Sequence, residues 1–289
     1  MRKFLITTDG NSDLTEAYGR EHQIRLIPLY YNMDGRIYGG DDVLPPEDFY
    51  NMMRAGKMPT TMAVNPEVVE KTSRSVLEDG YDILHIAFSS ALSGSYNVAA
   101  MVGQQLEEAF PQAKIFVIDS LCASLGQGLL IHKANGMREK GASIEETAAW
   151  VEEHKGHICH QFTVDSLFHL FRGGRVSRTA AVLGTLVQVK PVLHVDDEGR
   201  LVAVGKVRGR KKSLNALVDK MAETIGSYRD ENDIVFISHG DCLEDARYVA
   251  DLVKERFGIE KFYIDMVNPT IGAHSGPGTV ALFYLGDKR

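Results

Sequence analysis

Short apolar runs alternate with helical patterns along the first half of the chain. The run at 81–88 is apolar over most of its length, which is typical of a strand buried on both faces of a sheet. Further strands are predicted at 3–8, 24–31 and 114–119, and helices at 67–78, 96–109, 122–138 and 143–153. Residues 39–66, with paired glycines and prolines, are predicted to be irregular. Strands that alternate with helices predict a mostly parallel sheet with flanking helices.

A different pattern begins after Gly156. The apolar runs PVLHV and RLVAV flank Asp196–Gly199, a combination that predicts a β-hairpin. Other strands are predicted over 157–165, 233–238, 261–265 and 279–285, and helices over 209–225 and 243–257. This order indicates a mixed sheet with helices. The sequence therefore predicts an α/β protein with two α/β domains, an N-terminal one at 1–158 and a C-terminal one at 159–289.

Length and composition support a globular protein with a sizeable core. The 289 residues are 44% hydrophobic and 25% charged, which excludes disordered, collagen-like and coiled-coil classes. No stretch reaches the roughly 20 apolar residues that span a bilayer, and the first apolar run is too short for a signal peptide. Three cysteines do not make a disulfide framework, so we expect a cytoplasmic protein.

Charge is unevenly distributed along this acidic chain. The formal net charge is −7, which disfavours nucleic acid as a partner. Residues 172–212, which we call the basic segment, nevertheless contain ten basic and three acidic residues. The basic segment has two interpretations: an ordinary solvated surface without a function, or a face that docks another protein.

Sequence motifs for nucleotide binding and for ester hydrolysis do not occur. The patterns G-x-x-x-x-G-K-[ST] and G-x-S-x-G are both missing, which excludes a P-loop and weakens an α/β-hydrolase assignment. The most metal-like cluster is His154, His157, Cys159 and His160. A strand here would point His157 and Cys159 to one face and His160 to the other, so we expect no metal site.

Three loops rich in hydroxyl groups or glycines are candidate binding elements: 59–61, 89–97 and 271–278. The loop at 89–97 follows a central strand, and ligands of open α/β sheets bind beyond the carboxyl ends of the strands. Its serines and the N–H groups of the next helix suit a carboxylate or phosphate, although one serine is also a favoured helix cap. His274 lies between glycines that permit a sharp bend or a close approach.

Motifs along the whole chain resemble those of the DegV family, which includes the fatty-acid-binding subunits of bacterial fatty acid kinases. The matching segments are ITTDGNSDL at the start, PTT at 59–61, SSALSGSYN at 89–97, Asp119-Ser120 with Gly126 and Gly128, LFRGGRVS at 170–177, KPVL at 190–193, RGRKK at 208–212 and IGAHSGPG at 271–278. Each segment is weak alone, but together they are specific because they run nearly end to end.

The resemblance implies two α/β domains with a long-chain fatty acid buried between them. It implies that Thr61, Ser93 and His274 bind the carboxylate, with Arg175 nearby. It also implies a carrier that has no cofactor and no catalytic residues of its own. A separate ATP-dependent kinase subunit would phosphorylate the bound acid, and the acyl phosphate would serve phospholipid synthesis.

The chain departs from the family's usual motifs at two places. Met62 and Ala63 replace polar residues of the first loop, which puts the acyl preference in question. The opening turn reads Asp9-Gly10-Asn11 rather than D-S-T, and we assign it no ligand role.

Three functions compete on these grounds, and the fatty-acid carrier ranks first. The alternative is a Ser/His hydrolase or transferase that uses Ser93 and His274 on an acyl substrate, although no orienting acid is identifiable. A nucleic-acid binder ranks third because the basic segment lacks a recognisable binding motif. For the carrier, the basic segment predicts a kinase-docking face made of Arg172, Arg178, Arg208, Arg210, Lys211 and Lys212.

Overall fold

The computed structural model describes residues 2–177 and 188–289. The strands in this part of the chain are β1 (Phe4–Asp9), β2 (Arg25–Ile27), β3 (Tyr31–Met33), β4 (Arg36–Tyr38), β5 (Thr60–Thr61), β6 (Asp82–Ala87), β7 (Ile115–Asp119), β8 (Ile158–Thr163), β9 (Val189–Val195), β10 (Leu201–Arg208), β11 (Val235–His239), β12 (Phe262–Met266) and β13 (Val280–Leu285). The α-helices are α1 (Glu16–Glu21), α2 (Pro46–Arg54), α3 (Pro66–Glu78), α4 (Ser95–Ala109), α5 (Leu125–Glu139), α6 (Ile144–His154), α7 (Phe168–Arg172), α8 (Arg210–Thr224), α9 (Leu243–Phe257) and α10 (Pro269–Ser275).

The first large sheet is parallel, with the strand order β2-β1-β6-β7. Side chains alternate across it, so that each face packs against helices. Ile6 and Leu84 belong to a core that includes α5, whereas Leu5 and Ile83 pack on the opposite face with α3 and α4. Burial on both faces explains why the strands read as apolar runs, and the predicted parallel sheet is confirmed.

The second large sheet is mixed and has the order β10-β9-β8-β13-β11-β12. Only β11 and β12 pair in parallel, and β9 and β10 form the predicted hairpin around Asp196–Gly199. One face of this sheet, which includes Val235 and Ile237, packs against α8 and α9. The other face, which includes Phe236 and Phe283, joins the core that contains α5 and one face of the parallel sheet.

The predicted fold class is therefore confirmed as α/β, with one parallel and one mixed sheet. The parallel sheet ends with β7 at Asp119, and the mixed sheet begins with β8 at Ile158. The division into domains at 1–158 and 159–289 agrees with this separation and stays a prediction.

The segment predicted as irregular contains regular structure that bears on the site. Within it, α2 begins at the second of the paired prolines, and β5 joins β3 and β4, which lie just before the segment, in a small antiparallel sheet. Pro46 in the first turn with Glu47 and Asp48 beside it is a recognisable helix start, and that signal was missed. The buried Tyr50 of α2 donates a hydrogen bond to the Val267 carbonyl (2.9 Å). This bond holds the residues just before α10 against α2.

The strand predicted at 24–31 is two strands, β2 and β3. Pro28 lies between them and lacks the N–H that a sheet ladder needs. Within the described ranges, no helix is both long enough and apolar enough to cross a membrane.

Candidate functional site

A cavity lies where the face of the mixed sheet that includes Phe283 meets the carboxyl ends of the parallel strands. About 810 Å³ of space not filled by protein atoms lies in and around it, open solvent at its opening included. Its wall is mainly apolar and includes Phe88, Phe162, Val195, Ala281 and Phe283. The cavity has the mainly apolar lining, with a few polar groups, of a small-molecule site.

The four residues predicted to bind a carboxylate all line this cavity. Thr61 lies on β5, Ser93 lies in the loop between β6 and α4, Arg175 follows α7 and His274 lies on α10. The structure thus brings together the candidate loops from both halves of the chain. The prediction of a loop at 271–278 is partly wrong, because α10 extends to Ser275.

The His274 imidazole is held by Thr61. Its Nε2 lies 2.8 Å from the Thr61 hydroxyl oxygen, and its Nδ1 is buried without a hydrogen-bond partner among the described residues. Burial, together with the nearby positive charges of Arg175 and Arg172, lowers the pKa of His274 to about 4. The ring is therefore neutral at pH 7. A methyl group on Gly173 would overlap Nδ1, which explains the need for glycine there.

Two arginines surround this pair without forming ion pairs among the described residues. Arg172 donates to the carbonyls of Pro59 (2.8 Å) and Ala273 (3.2 Å), so it joins the segment before Thr61 to α10. Arg175 donates to the Leu92 carbonyl at 2.8 Å, next to Ser93. Both guanidinium groups therefore place positive charge beside the polar end of the cavity and favour an anionic ligand.

The serines of the loop at 89–97 have different roles. The N-cap residue of α4 is Gly94, so the cap is not a serine. Ser93 Oγ lies 2.9 Å from Ser95 Oγ, and Ser95 Oγ accepts from the Val64 N–H at 3.2 Å. Ser89 is fully buried and donates to the Gly199 carbonyl, so it is structural. Ser93 is thus the serine of this loop that lines the cavity, whereas Ser95 contacts the neighbouring loop.

A second polar region of the cavity wall was not predicted. Ser124 donates to the Asp13 carboxylate, and Ser124 Oγ lies 2.9 Å from Ser238 Oγ. Asn268 N–H donates to the other oxygen of Asp13 at 2.9 Å, and Thr270 donates to Asn11 at 2.8 Å. Burial raises the pKa of Asp13 to about 8. The opening turn, to which no ligand role was assigned, contributes Asn11 to the cavity wall, and that assignment stays a prediction.

Ser275 is a further cavity residue that the sequence did not single out. It lines the wall, and its buried hydroxyl has no hydrogen-bond partner among the described residues. Its position directly after His274 was the available signal. No short pattern predicts the second polar region, because its members come from four distant segments.

The histidine and cysteine cluster is divided among separate contacts. His160 lines the cavity, accepts from the Ala123 N–H at 3.1 Å and places Nδ1 2.8 Å from the Ile158 carbonyl. Burial holds the pKa of His160 well below its usual value, so the ring is a neutral part of the wall. His157 contacts the Gly286 carbonyl instead. Across residues 2–177 and 188–289, no three His, Cys, Asp or Glu side chains gather as a metal site.

The residues predicted to dock a kinase fall into three groups. Arg208, Lys211 and Lys212 are exposed at the junction of β10 and α8. Arg210 is paired with Asp245 at 2.8 Å, and Arg172 makes the carbonyl contacts described above. Arg178 lies outside the described residues.

Comparison with known proteins identifies the family. A family model described as "Uncharacterised protein, DegV family" matches residues 3–287. The chain belongs to the DegV family. A DegV domain-containing protein of Clostridium perfringens is 42% identical over 291 residues, which cover 100% of this chain and 99% of that protein. The resemblance seen in the sequence motifs is thereby confirmed.

Solved structures of DegV proteins have the same fold. A DegV family protein from Thermus thermophilus, described by its fatty acid binding, has a TM-score of 0.87 at 28% identity and covers 99% of this chain and 100% of its own. A stearic acid-binding protein from Eubacterium ventriosum has a TM-score of 0.87 at 27% identity and covers 98% of both chains. This chain therefore shares its fold, over nearly its whole length, with two proteins that are described as fatty-acid-binding.

Proposed function

We propose that this DegV protein binds one long-chain fatty acid in the cavity between its sheets, with the carboxylate at Thr61, Ser93 and His274. The observation that carries the proposal is the convergence of these three side chains and Arg175 on one apolar cavity. The Thermus and Eubacterium proteins, with the same fold, bind fatty acids.

The energetics of burial favour such a ligand. Each buried CH₂ contributes roughly 0.8 kcal/mol, so about 15 methylenes gain ~12 kcal/mol before the costs of binding. The carboxylate must find hydrogen bonds, or its desolvation cancels much of that gain. The hydroxyls of Thr61 and Ser93 supply donors, and the guanidinium groups of Arg172 and Arg175 supply positive charge.

We further propose that the protein is a cytoplasmic carrier subunit without an activity of its own. A separate ATP-dependent kinase subunit would phosphorylate the bound acid to an acyl phosphate. Hydroxyl donors support this role, because they hold a carboxylate oxygen without the rigid ion pair of a bidentate arginine. The exposed Arg208, Lys211 and Lys212 are the side chains that would meet an acidic kinase surface.

The hydrolase alternative has less support from the geometry. A serine nucleophile needs a histidine base, and that base needs an orienting acid. Among the described residues, no hydrogen bond joins Ser93 to His274, whose Nε2 contacts Thr61 and whose Nδ1 is unpartnered. An ester assay with wild-type protein and the Ser93→Ala variant separates the two functions.

Binding is tested by mass spectrometry of an organic extract and by titration of the delipidated protein with fatty acid. We expect about one long-chain acid per protein molecule, because the acid is proposed to occupy one cavity. A clean extract, from protein that also takes up no added acid, would overturn the proposal.

Kinase docking is tested by reversing charge at Arg208 and Lys211 to Glu. Complementary charge mainly speeds encounter, so acyl-phosphate formation should slow most at low salt, while the fatty-acid content stays the same. The exposed Lys71 and Lys261, changed to Glu together, give the same charge change outside the basic segment. Docking would be refuted if both double variants had equal kinase rates and the wild-type protein shifted DNA in a gel.

A further inference from the structure

The second polar region lies well away from the proposed carboxylate site. Asn268, at the start of α10, contacts Asp13, whereas His274 near the end of the same helix contacts Thr61. Six residues of helix separate these points by about 9 Å along the axis. An acyl chain whose carboxylate lies at His274 would therefore meet the second region part-way along its length.

Ser238 faces the cavity from the mixed sheet. Side chains alternate along β11, and Ser238 lies on the same face as Phe236, whereas Val235 and Ile237 pack towards α8 and α9. Its register partner on β13 is Ala281, another cavity residue. Ser238 is fully buried, so it places a polar side chain in the mainly apolar wall of the cavity.

The hydrogen-bond chain behind Ser238 is short, and its direction depends on whether Asp13 is ionised. While Asp13 is ionised, Ser124 donates its one hydroxyl proton to that carboxylate, so Ser238 must donate to Ser124. Ser238 then offers only acceptor lone pairs to the cavity. If Asp13 is protonated, the direction of the chain reverses and Ser238 offers a proton instead. In both states Ser238, a cavity residue, keeps one hydrogen-bonding valence that its contact with Ser124 does not use.

We propose that the preferred ligand is a fatty acid that carries a hydroxyl group within its chain, bound opposite Ser238. The inference rests on the proposed fatty-acid-binding function and adds the chemical class of the acid.

A hydroxyl group fits this position better than the other groups that an acyl chain offers. It both donates and accepts, so it satisfies Ser238 in either direction of the hydrogen-bond chain. A methylene leaves the serine valence unpaired in a buried wall, which is unfavourable. A second carboxylate only accepts, and it would lie next to the Asp13 carboxyl. A keto group also only accepts, so it fits one direction alone.

The test compares octadecanoic acid with its monohydroxy isomers, in which the hydroxyl stands at successive positions along the chain. Delipidated wild-type protein is titrated with each acid in a competition assay. We expect one isomer, or two adjacent ones, to bind about tenfold tighter than octadecanoic acid, which corresponds to about 1.4 kcal/mol. The isomers hydroxylated next to the carboxylate should show no such gain.

The variant Ser238→Ala identifies the residue that is responsible. It should remove the advantage of the favoured isomer while octadecanoic acid binds at least as well as before. Ser275→Ala is the matched control, because it removes another cavity hydroxyl, beside His274, where both acids have the same carboxylate. The preference ratio should persist in that variant.

Each outcome decides a different question. If octadecanoic acid binds and no isomer gains over it, the hydroxyl inference is wrong and fatty-acid binding stands. If the gain survives in Ser238→Ala, the inference is also wrong. If no acid binds the wild type, the proposed function itself fails. Should Ser238→Ala not fold, the wild-type series still decides, because a gain confined to mid-chain positions supports the inference and a flat series overturns it.

Discussion

Thr61→Val tests whether the Thr61 hydroxyl holds the fatty-acid carboxylate. Valine keeps the shape of the side chain and removes the oxygen that lies 2.8 Å from His274 Nε2. Since Nδ1 is already unpartnered among the described residues, the variant leaves both ring nitrogens without a side-chain partner. A hydrogen bond to a charged group contributes about 1–3 kcal/mol, so fatty-acid affinity should fall about 5- to 150-fold.

The assay measures competition binding of octadecanoic acid and of its methyl ester to delipidated protein. The ester has the same chain and lacks the charge, so its affinity should fall much less. Thr61→Ser retains the hydroxyl and should bind the acid close to the wild-type level. Equal losses for acid and ester would contradict a contact with the carboxylate, and an unchanged acid affinity in Thr61→Val would refute the reasoning altogether.

Two other predictions concern the His274 ring. Gly173→Ala places a methyl group against Nδ1, and this overpacking costs about 1–3 kcal/mol, so it should weaken acid binding or lower Tm. The control Gly136→Ala adds its methyl group to open space and should do neither. The second prediction is a pH dependence. Because the pKa of His274 is lowered to about 4 from an unfolded value near 6.5, the unfolded chain binds an extra proton between these values, and stability falls as pH falls through that window. His274→Gln should therefore flatten the dependence of the unfolding free energy on pH from 6.5 to 4. The free energy is measured by denaturant titration at several pH values, and the same pH dependence in the variant as in the wild type would count against a buried neutral ring.

The elements that the sequence predicted well are those whose burial leaves a simple pattern. The strand β6 is apolar over most of its length because both its faces are covered, and the hairpin of β9 and β10 has a turn signal between its strands. The small sheet was missed because β5 has two residues and β3 has three, too few to establish a period of two. In this region the pairing with distant segments decides the structure, rather than the local pattern.

The same distinction applies to the site. Thr61, Ser93 and His274 were named from motifs that the resemblance supplied, and their convergence depends on contacts that no local pattern contains. Arg172 joins Pro59 to Ala273, residues that are far apart in sequence, and so brings the first loop to α10. In the region around Asp13 and Ser238, Asp13 belongs to the matching segment ITTDGNSDL, but no motif contains Ser124 or Ser238. These serines are ordinary residues at a strand end and a helix start until the two sheets pack together.

Under the proposed function, the placement of the arginines allows one site both to capture a carboxylate and to release it. Arg172 and Arg175 donate to backbone carbonyls, which neutralise no charge, and no described acidic side chain pairs with either. Their positive potential therefore acts on the mouth of the cavity and attracts an anion, while the short contacts around it come from Thr61 and Ser93. A bidentate arginine clamp would hold both carboxylate oxygens in a fixed geometry and cover the atom that a phosphoryl group must reach. Charge at a distance and hydroxyls in contact would then divide the two tasks, as the proposed carrier role requires.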